Sequence, residues 1–445
     1  MLRYLLIYLF AHLFISASTF AQQQYYYPPN TGSSWDTLSP DSLGWCQDSI
    51  QSLYDFLDAK NSKSFIVLKD GKIVLEKYFD SFTQDSFWYY ASAGKSVMAF
   101  LIGMAQEEGL LDIKMPVSTY LGNGWTDCPA PKEDLITVWH QLSMTTGLDD
   151  GLAATPQIPD PLNCLDDSCL QYKADAGSRW AYHNAPYRLV QDVLEQASGA
   201  TKNQFTRTRL LQPIGMQGFW LNYVFYGKAR DMARFGHLVL SNGVWDGDTV
   251  LGDTAYMKAM SRPSQGINES YGLLWWLNGQ ASYMLPRLQF QFNGAMTPEA
   301  PADMFAALGK NDQKIYVIPS LDMVVIRQGN SAGNIALAGS SFDSELWKKI
   351  NGLSCGATSL NEDDWRENIS IYPQPAEGEL WVEMPEAMFS PSFYLYSLEG
   401  KQIQSLVSSQ VGNKFRLQIA EVPAGLYILA IRSEDQFLRK KISIH

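Results

Sequence analysis

The sequence predicts an α+β fold in two pieces: a large mixed domain, and after it a small β-sandwich. Three observations predict it. Strand-like runs lie near both ends of the first 355 or so residues, with helical and looped sequence between them, so one antiparallel sheet has to be assembled from distant segments. The aromatic and small residues around Ser92 run into a stretch of helical periodicity with one apolar face to bury. From Ile371 to His445 the chain reads as short alternating strands broken by turns such as Glu399-Gly400 and Pro423-Ala424-Gly425.

Taken in order, Met1-Leu2-Arg3, an apolar run from Tyr4 to Ile15 and small residues up to Ala21 read as a signal peptide cleaved after Ala21. The run is too short for a membrane anchor, and no second apolar segment of spanning length follows. The chain is therefore expected to be exported, without an integral membrane segment after cleavage. Residues 22–40 carry Gln, Tyr, Pro, Asn, Gly and Ser and read as a linker without a core-forming pattern. The main domain is expected over 41–355, a second linker over 356–370 and the sandwich over 371–445.

Within the main domain, Trp45 to Leu57 is amphipathic at helical spacing. Ser64 to Leu68 and Lys72 to Phe79 read as strands joined by Asp70-Gly71, a hairpin signal. Strands return at Tyr271–Trp276, Met304–Leu308, Lys314–Ile318 and Met323–Arg327, and a helix from Asp343 to Ile350 closes the domain.

Composition narrows the function. The chain has 445 residues, 46% of them hydrophobic and 13% aromatic, which is globular material. A net charge of -12 argues against nucleic acid and against anionic membrane surfaces. Five cysteines in an exported chain permit two disulfides and one thiol. Cys164 and Cys169, close together in a loop of Asp, Pro and Asn, form the best pair; Cys46 and Cys355 flank the main domain and are a second candidate pair, with Cys128 left over. The histidines stand at no zinc-ligand intervals, so no metal is expected, and no cofactor.

The chemistry centres on Tyr90-Ala91-Ser92-Ala93-Gly94-Lys95-Ser96-Val97-Met98. Val97, Phe100, Leu101, Met104 and Ala105 give one buried helix face, ending before Gly109. Ser92 and Lys95, three apart at the mouth of that helix, share a face. A hydroxyl there lies at the positive end of the helix dipole, beside an amine that packing can desolvate and so turn into a base. Alone, Ser-x-x-Lys also reads as an N-cap and a solvated lysine. A second element is Tyr182-His183-Asn184, whose phenol and amide can converge on one cleft for proton transfer and for holding a substrate carbonyl or Lys95. A third is Ala307-Leu308-Gly309-Lys310, a strand edge where glycine lets substrate lie against the backbone and the next amide can donate to an oxyanion.

With these three in order, the chain resembles the serine β-lactamase-related hydrolases, the group that holds class C β-lactamases, D-alanyl-D-alanine peptidases, carboxylesterases and aminohexanoate-oligomer hydrolases. The resemblance extends through Gly109-Leu-Leu-Asp-Ile-Lys-Met-Pro-Val117, Ile136–Leu148, Leu211–Met216 and Ala229–Gly236, and covers about residues 45–352. It implies a β-lactamase/transpeptidase-like fold, an antiparallel sheet flanked by helices plus an all-helical region. It implies Ser92 as nucleophile, Lys95 and Tyr182 sharing the proton transfers, and Asn184 positioning substrate. The backbone amides of Ser92 and Lys310 would form the oxyanion hole. Where the family has Lys-Thr-Gly or His-x-Gly, this chain has Ala307-Leu308-Gly309, with no cation or hydroxyl to hold a β-lactam carboxylate, and Lys310 is expected to face away.

The resemblance with that departure points to a small-molecule ester or amide substrate, cleaved through an acyl-Ser92 intermediate. The alternatives are a catalytically silent relative that binds peptides or peptidoglycan, and a D-alanyl-D-alanine carboxypeptidase or β-lactamase. The cleft is expected to be lined by Trp275, Trp276 and the loop around Trp180.

Residues Ile371–Leu380, Leu395–Ile403 and Val422–Leu429, with the ending Lys440-Lys441-Ile442, resemble the type IX secretion sorting domain, with Gln374-Pro375 at the family's usual Asn-Pro. This resemblance implies passage across an outer membrane by the type IX machinery, to the cell surface or outside.

Two other motifs lead nowhere. Gly352-Leu-Ser-Cys-Gly356 matches a nucleophile elbow but follows a helix instead of a strand, and Gly94-Lys95-Ser96 lacks the first glycine of a P-loop, position 89 being Tyr89.

Overall fold

The computed structural model describes residues 25–156, 158–332, 340–355, 369–384, 391–397, 402–406, 408–433 and 436–445. The expected signal peptide (1–21) and residues 356–368 of the expected second linker lie outside the described residues. The chain divides between Ser354 and Cys355 into two compact units.

The first unit is built on a six-stranded antiparallel sheet. Its strands are β1 (Ser62–Lys69), β2 (Lys72–Tyr78), β3 (Trp276–Leu277), β6 (Phe305–Gly309), β7 (Gln313–Ile318) and β8 (Met323–Gly329), in the order β2-β1-β8-β7-β6-β3. A separate hairpin of β4 (Ser282–Met284) and β5 (Gln291–Asn293) falls between β3 and β6 in sequence. The central strands are apolar on both faces because both faces are covered: Phe65, Ile66, Val67, Ile315, Val317, Val324, Val325 and Ile326 are all buried. Helices α1 (Gln47–Ala59) and α5 (Ser341–Asn351) pack together, and α1 packs on β1. Helix α4 (Ala229–Leu240) packs on β1, β7 and β8, with Gly236 against Val324 and Ile315.

The Asp70-Gly71 turn forms as its sequence predicts, with φ of 53° and 82° at the two residues. Gly71 has a second reason to be glycine: a Cβ there would sit 2.0 Å from the carbonyl oxygen of Tyr26. That contact belongs to a stretch expected to be a linker. Residues 25–38 instead lie along the first unit. Tyr26 N donates to Asp70 O, Trp35 is buried and donates to Gly71 O, and Arg234 donates to the carbonyls of Pro28 and Pro29. The aromatic residues among the Pro and Gly are what hold it there.

Helix α2 (Gly94–Glu107) differs from its periodicity. One buried face is expected; every residue from Gly94 to Ala105 is buried. The helix runs through the interior, packed on α3 (Asn184–Ser198), on β6 and on Tyr256, whose hydroxyl donates to Ala99 O. A helix enclosed on all sides is apolar all round, so its amphipathic pattern is shallow. The expected strand at Tyr271–Trp276 contracts to Trp276–Leu277, because the chain turns sharply at Leu274 (φ 58°) to bury Trp275.

A buried ionic cluster fixes one end of the sheet. Lys314, fully enclosed, pairs with Asp343 (2.9 Å) and Asp312 (3.3 Å). Arg327 donates to the carbonyls of Asn311 (2.9 Å) and Asp312 (3.0 Å). Removing one partner from such a set costs about 3–5 kcal/mol, since the other charge is left buried and unpaired. The cluster therefore holds the 310–312 turn, and the first residue of that turn is Lys310. Cys164 and Cys169 form the expected disulfide. Cys46 and Cys355 are disulfide-bonded as well, and Cys128 is a free thiol.

Among the described residues the second unit has eight strands, between Ser370 and Ile444. Ser370–Glu377 belongs to both layers: it pairs antiparallel with Glu379–Glu383, and Ala376 pairs parallel with Ile444. Leu380, Val382, Phe393, Leu395, Phe415, Leu417, Leu429 and Ile442 form its core, each alternating with an outward neighbour, as a small sandwich requires. Among the described residues, no helix is long and apolar enough to cross a membrane.

Candidate active site

Ser92 lies in a single 3-10 turn, Ala91–Ala93, that runs straight into α2. Two things hold the turn. Trp88–Tyr89 pairs with Val224–Gly227, and Tyr90 N donates to Phe225 O while its ring packs edge-on against Phe225. Ala91 takes the left-handed conformation (φ 48°), which a residue with a side chain adopts only when its surroundings impose it. From the other side, Gly309 at the end of β6 presses on the turn. A Cβ at Gly309 would lie 2.5 Å from Tyr90 O and 3.0 Å from Ala93 N. The space left by the missing side chain is thus taken by the turn that carries Ser92, whereas the sequence suggested it would admit substrate.

Lys95, one turn along α2, is 4% exposed. Its Nζ donates to Ser92 Oγ (2.9 Å) and to Asn184 Oδ1 (3.0 Å), and it lies over the rings of Tyr187 (4.5 Å) and Tyr182 (4.9 Å). Burial, aided by the nearby positive charge of Arg188, pushes its amine down to about 7. Tyr182 precedes α3 and Asn184 is the first residue of that helix. Burial holds the Tyr182 phenol well above its ordinary range, opposed by a hydrogen bond with Ser92. The phenol therefore keeps its proton while the amine readily loses one.

Tyr182 is stacked on Trp276 (5.7 Å) and meets Tyr271 edge-on (6.3 Å), with Trp180 behind. Trp180, Trp275 and Trp276 are all buried; Trp180 and Trp276 support the phenol from behind, Trp275 packs on Phe235 and Phe305, and none lines the cleft as expected. The cavity in front of Ser92, about 440 Å³, is shared by Tyr182 and Asn184, by Leu308 and Lys310, by the 160–163 segment and by Pro286 and Arg287 of the β4–β5 loop. Lys310 is a further departure. It stands beyond the end of β6, in the turn, where strand alternation no longer applies, and it faces the cavity.

Ser92, Lys95, Tyr182, Asn184, Gly309 and Lys310 are thus brought together from three separate stretches. Sequence reasoning missed Arg188, Asp160, Leu162, Asn163 and Arg287. Arg188 had a signal, being four residues after Asn184 on one helix face; its Nη1 also donates to Asn163 O. The others lie in loops whose course no periodicity announces. His183 faces away, buried, its ring nitrogens without hydrogen-bond partners and its imidazole pushed down to about 4 by burial. His140 caps a short helix through Thr137. Among the described residues no cluster of His, Cys, Asp and Glu could hold a metal ion.

The antiparallel sheet between helix layers, with a serine and a lysine one turn apart at the head of a buried central helix, is the β-lactamase/transpeptidase-like arrangement. The chain belongs to the β-lactamase family, whose match covers residues 58–339, and it ends in a secretion system C-terminal sorting domain over residues 370–445. PbpX of Bacillus subtilis, which carries a provisional penicillin-binding-protein name, is 26% identical over 173 residues, 36% of this chain and 42% of that protein's length. A Bacillus anthracis structure provisionally named a 6-aminohexanoate-dimer hydrolase superposes with a TM-score of 0.55 at 19% identity, over 73% of this chain and 88% of its own. A family VIII carboxylesterase does so with 0.51 at 14% identity, over 69% and 98%. Likeness at these identities establishes the fold.

Proposed function

We propose that this protein is an exported serine hydrolase that cleaves an ester or amide through an acyl-Ser92 intermediate. The observation that carries the proposal is the 2.9 Å contact between the enclosed Lys95 amine and Ser92 Oγ. On this reading the neutral amine takes the serine proton as Oγ attacks the substrate carbonyl. The tetrahedral oxyanion is received by the backbone amides of Ser92 and Lys310, which Gly309 and the buried Arg327 cluster keep in register. Tyr182, which holds its proton firmly, passes one to the leaving group and is reprotonated from Lys95. Water then attacks the acyl-serine along the reverse proton path. Asn184 keeps the lysine aimed at Ser92 and faces the substrate.

At the position of the family's Lys-Thr-Gly the cavity meets the apolar Leu308 instead of a hydroxyl, with Lys310 supplying a cation from the next turn, and the missing hydroxyl favours an ester or amide over a β-lactam. The sorting domain supports delivery by type IX secretion to the cell surface or outside.

The test compares the full chain with Ser92→Ala on a 4-nitrophenyl ester, a chromogenic cephalosporin and a D-alanyl-D-alanine peptide. The expected outcome is ester turnover reduced at least a thousandfold in the variant with its melting temperature unchanged. Turnover that survives the substitution would refute the nucleophile, and a folded wild type silent on all three would favour a binding role.

A further inference from the structure

A second cavity of about 440 Å³ adjoins the one at Ser92. The two share Asp160, Leu162 and Arg287, and the second runs on to Asp150 and Arg179. Together they form one elongated cleft with Ser92 in one half and Arg287 at the junction.

The charges along this cleft differ in how they are satisfied. Arg179 Nη2 donates to Asp150 (2.5 Å), which neutralises its charge although its buried Nη1 has no hydrogen-bond partner. Asp160 accepts from the Asn163 amide (2.7 Å). Among the described residues, two exposed cations of the cleft, Lys310 beside Ser92 and Arg287 at the junction, have no side-chain hydrogen-bond or ion-pair partner, and Arg287 is the one that reaches both halves and carries five N–H donors. Its backbone is also held off the ordinary regions, at φ 66°. The loop that imposes this is tied down on both sides of it: Leu288 N donates to Leu285 O, and Gln289 Nε2 donates to the carbonyl of Trp180 (3.0 Å), two residues before Tyr182. A left-handed residue with a side chain, pinned next to the catalytic stretch and offering an unspent planar cation to the cleft, is a feature the fold has to support elsewhere. It also runs against the charge of the whole chain, -12, which repels anions.

We infer that Arg287 binds a carboxylate carried by the substrate, so that the preferred ester or amide is elongated and bears an anionic group remote from the bond that Ser92 attacks. The inference rests on the hydrolase reading of Ser92 and adds a substrate class to it. The fork geometry of a guanidinium suits a carboxylate taken two-on-two, and an otherwise unpaired cation loses no internal partner on binding.

The test uses full-length protein and matched pairs of esters: mono-4-nitrophenyl glutarate against 4-nitrophenyl valerate, and mono-4-nitrophenyl suberate against 4-nitrophenyl octanoate. Wild type is expected to favour the anionic member of at least one pair by about tenfold or more in kcat/KM, through KM, and to lose part of that preference at high salt. Arg287→Gln should bring the ratio of the pair down about 10- to 100-fold, with Arg287→Lys between the two. A wild type indifferent to the carboxylate, or a preference that Arg287→Gln leaves in place, overturns the inference.

A binding arm is independent of turnover. Suberic acid monoamide is titrated calorimetrically into Ser92→Ala and into Ser92→Ala/Arg287→Gln. Binding weakened tenfold or more by the second substitution supports the inference, and equal or absent binding in both overturns it. Should Ser92→Ala keep its turnover while this arm still separates the variants, the nucleophile assignment falls and the anion site stands.

Discussion

Lys95 acts as a base toward Ser92 only when it carries no charge, and enclosure is what removes the charge. The amine sits between two tyrosine rings and an amide oxygen with 4% of its surface exposed, and it is pushed down to about 7, with Arg188 adding a like charge nearby. The sign follows directly: the working form is the deprotonated one, so kcat/KM should rise with pH and level off above an inflection near 7. Arg188→Gln removes the like charge and should move that inflection upward by a fraction of a unit, leaving its shape unchanged. A flat profile between pH 6 and 8, or a downward shift in the variant, would contradict the role given to Lys95. Ser92, Lys95, Tyr182 and Asn184 were legible in the sequence because each pair is local, three residues apart on a helix or two apart at a helix entrance. Arg287 and Asp160 were not, because a loop residue acquires its meaning from what lies across the cleft.

At the scale of elements, the site depends on how closely the end of β6 approaches the turn before α2. Gly309 makes that approach possible, and a methyl group there would meet backbone atoms, which cannot rotate away as a side chain can. Gly309→Ala should therefore displace the Ser92 turn or the Lys310 amide by a few tenths of an ångström or more. The expected result is a 10- to 100-fold fall in kcat/KM with about 1–3 kcal/mol lost in stability, measured by kinetics alongside denaturant unfolding. Near-wild-type kinetics in a folded variant would show that the two elements do not form one oxyanion site. Glycine at this point was readable from sequence, but its reason was not: spacing suggested room for substrate, and the packing gives the room to the protein's own turn. The helix α2 shows the same limit. Its position in sequence was clear, yet its full enclosure depends on Tyr256 and α3, which lie far along the chain from it.

For the molecule as a whole, the sheet illustrates what a one-dimensional reading reaches. Its strands declare themselves as apolar runs, and their gathering at the two ends of the domain implied one sheet, but β1 pairs with β8 across some 260 residues, and only tertiary packing sets that register. The aromatic stretch at 25–38 was hidden for the opposite reason: its Pro, Gly and Asn content resembles a linker, while Trp35 and the tyrosines among them supply the contacts. The sorting domain was legible throughout because its alternating strands are local hairpins for the most part.

Transfer of the substrate's acyl group to Ser92 is best followed by mass spectrometry of the full chain quenched in acid during ester turnover. A mass increase equal to the acyl group is expected, mapped to the peptide that contains Ser92, absent from Ser92→Ala and longer-lived when Tyr182→Phe slows its hydrolysis. Turnover with no such adduct under burst conditions, or an adduct on another residue, would contradict it.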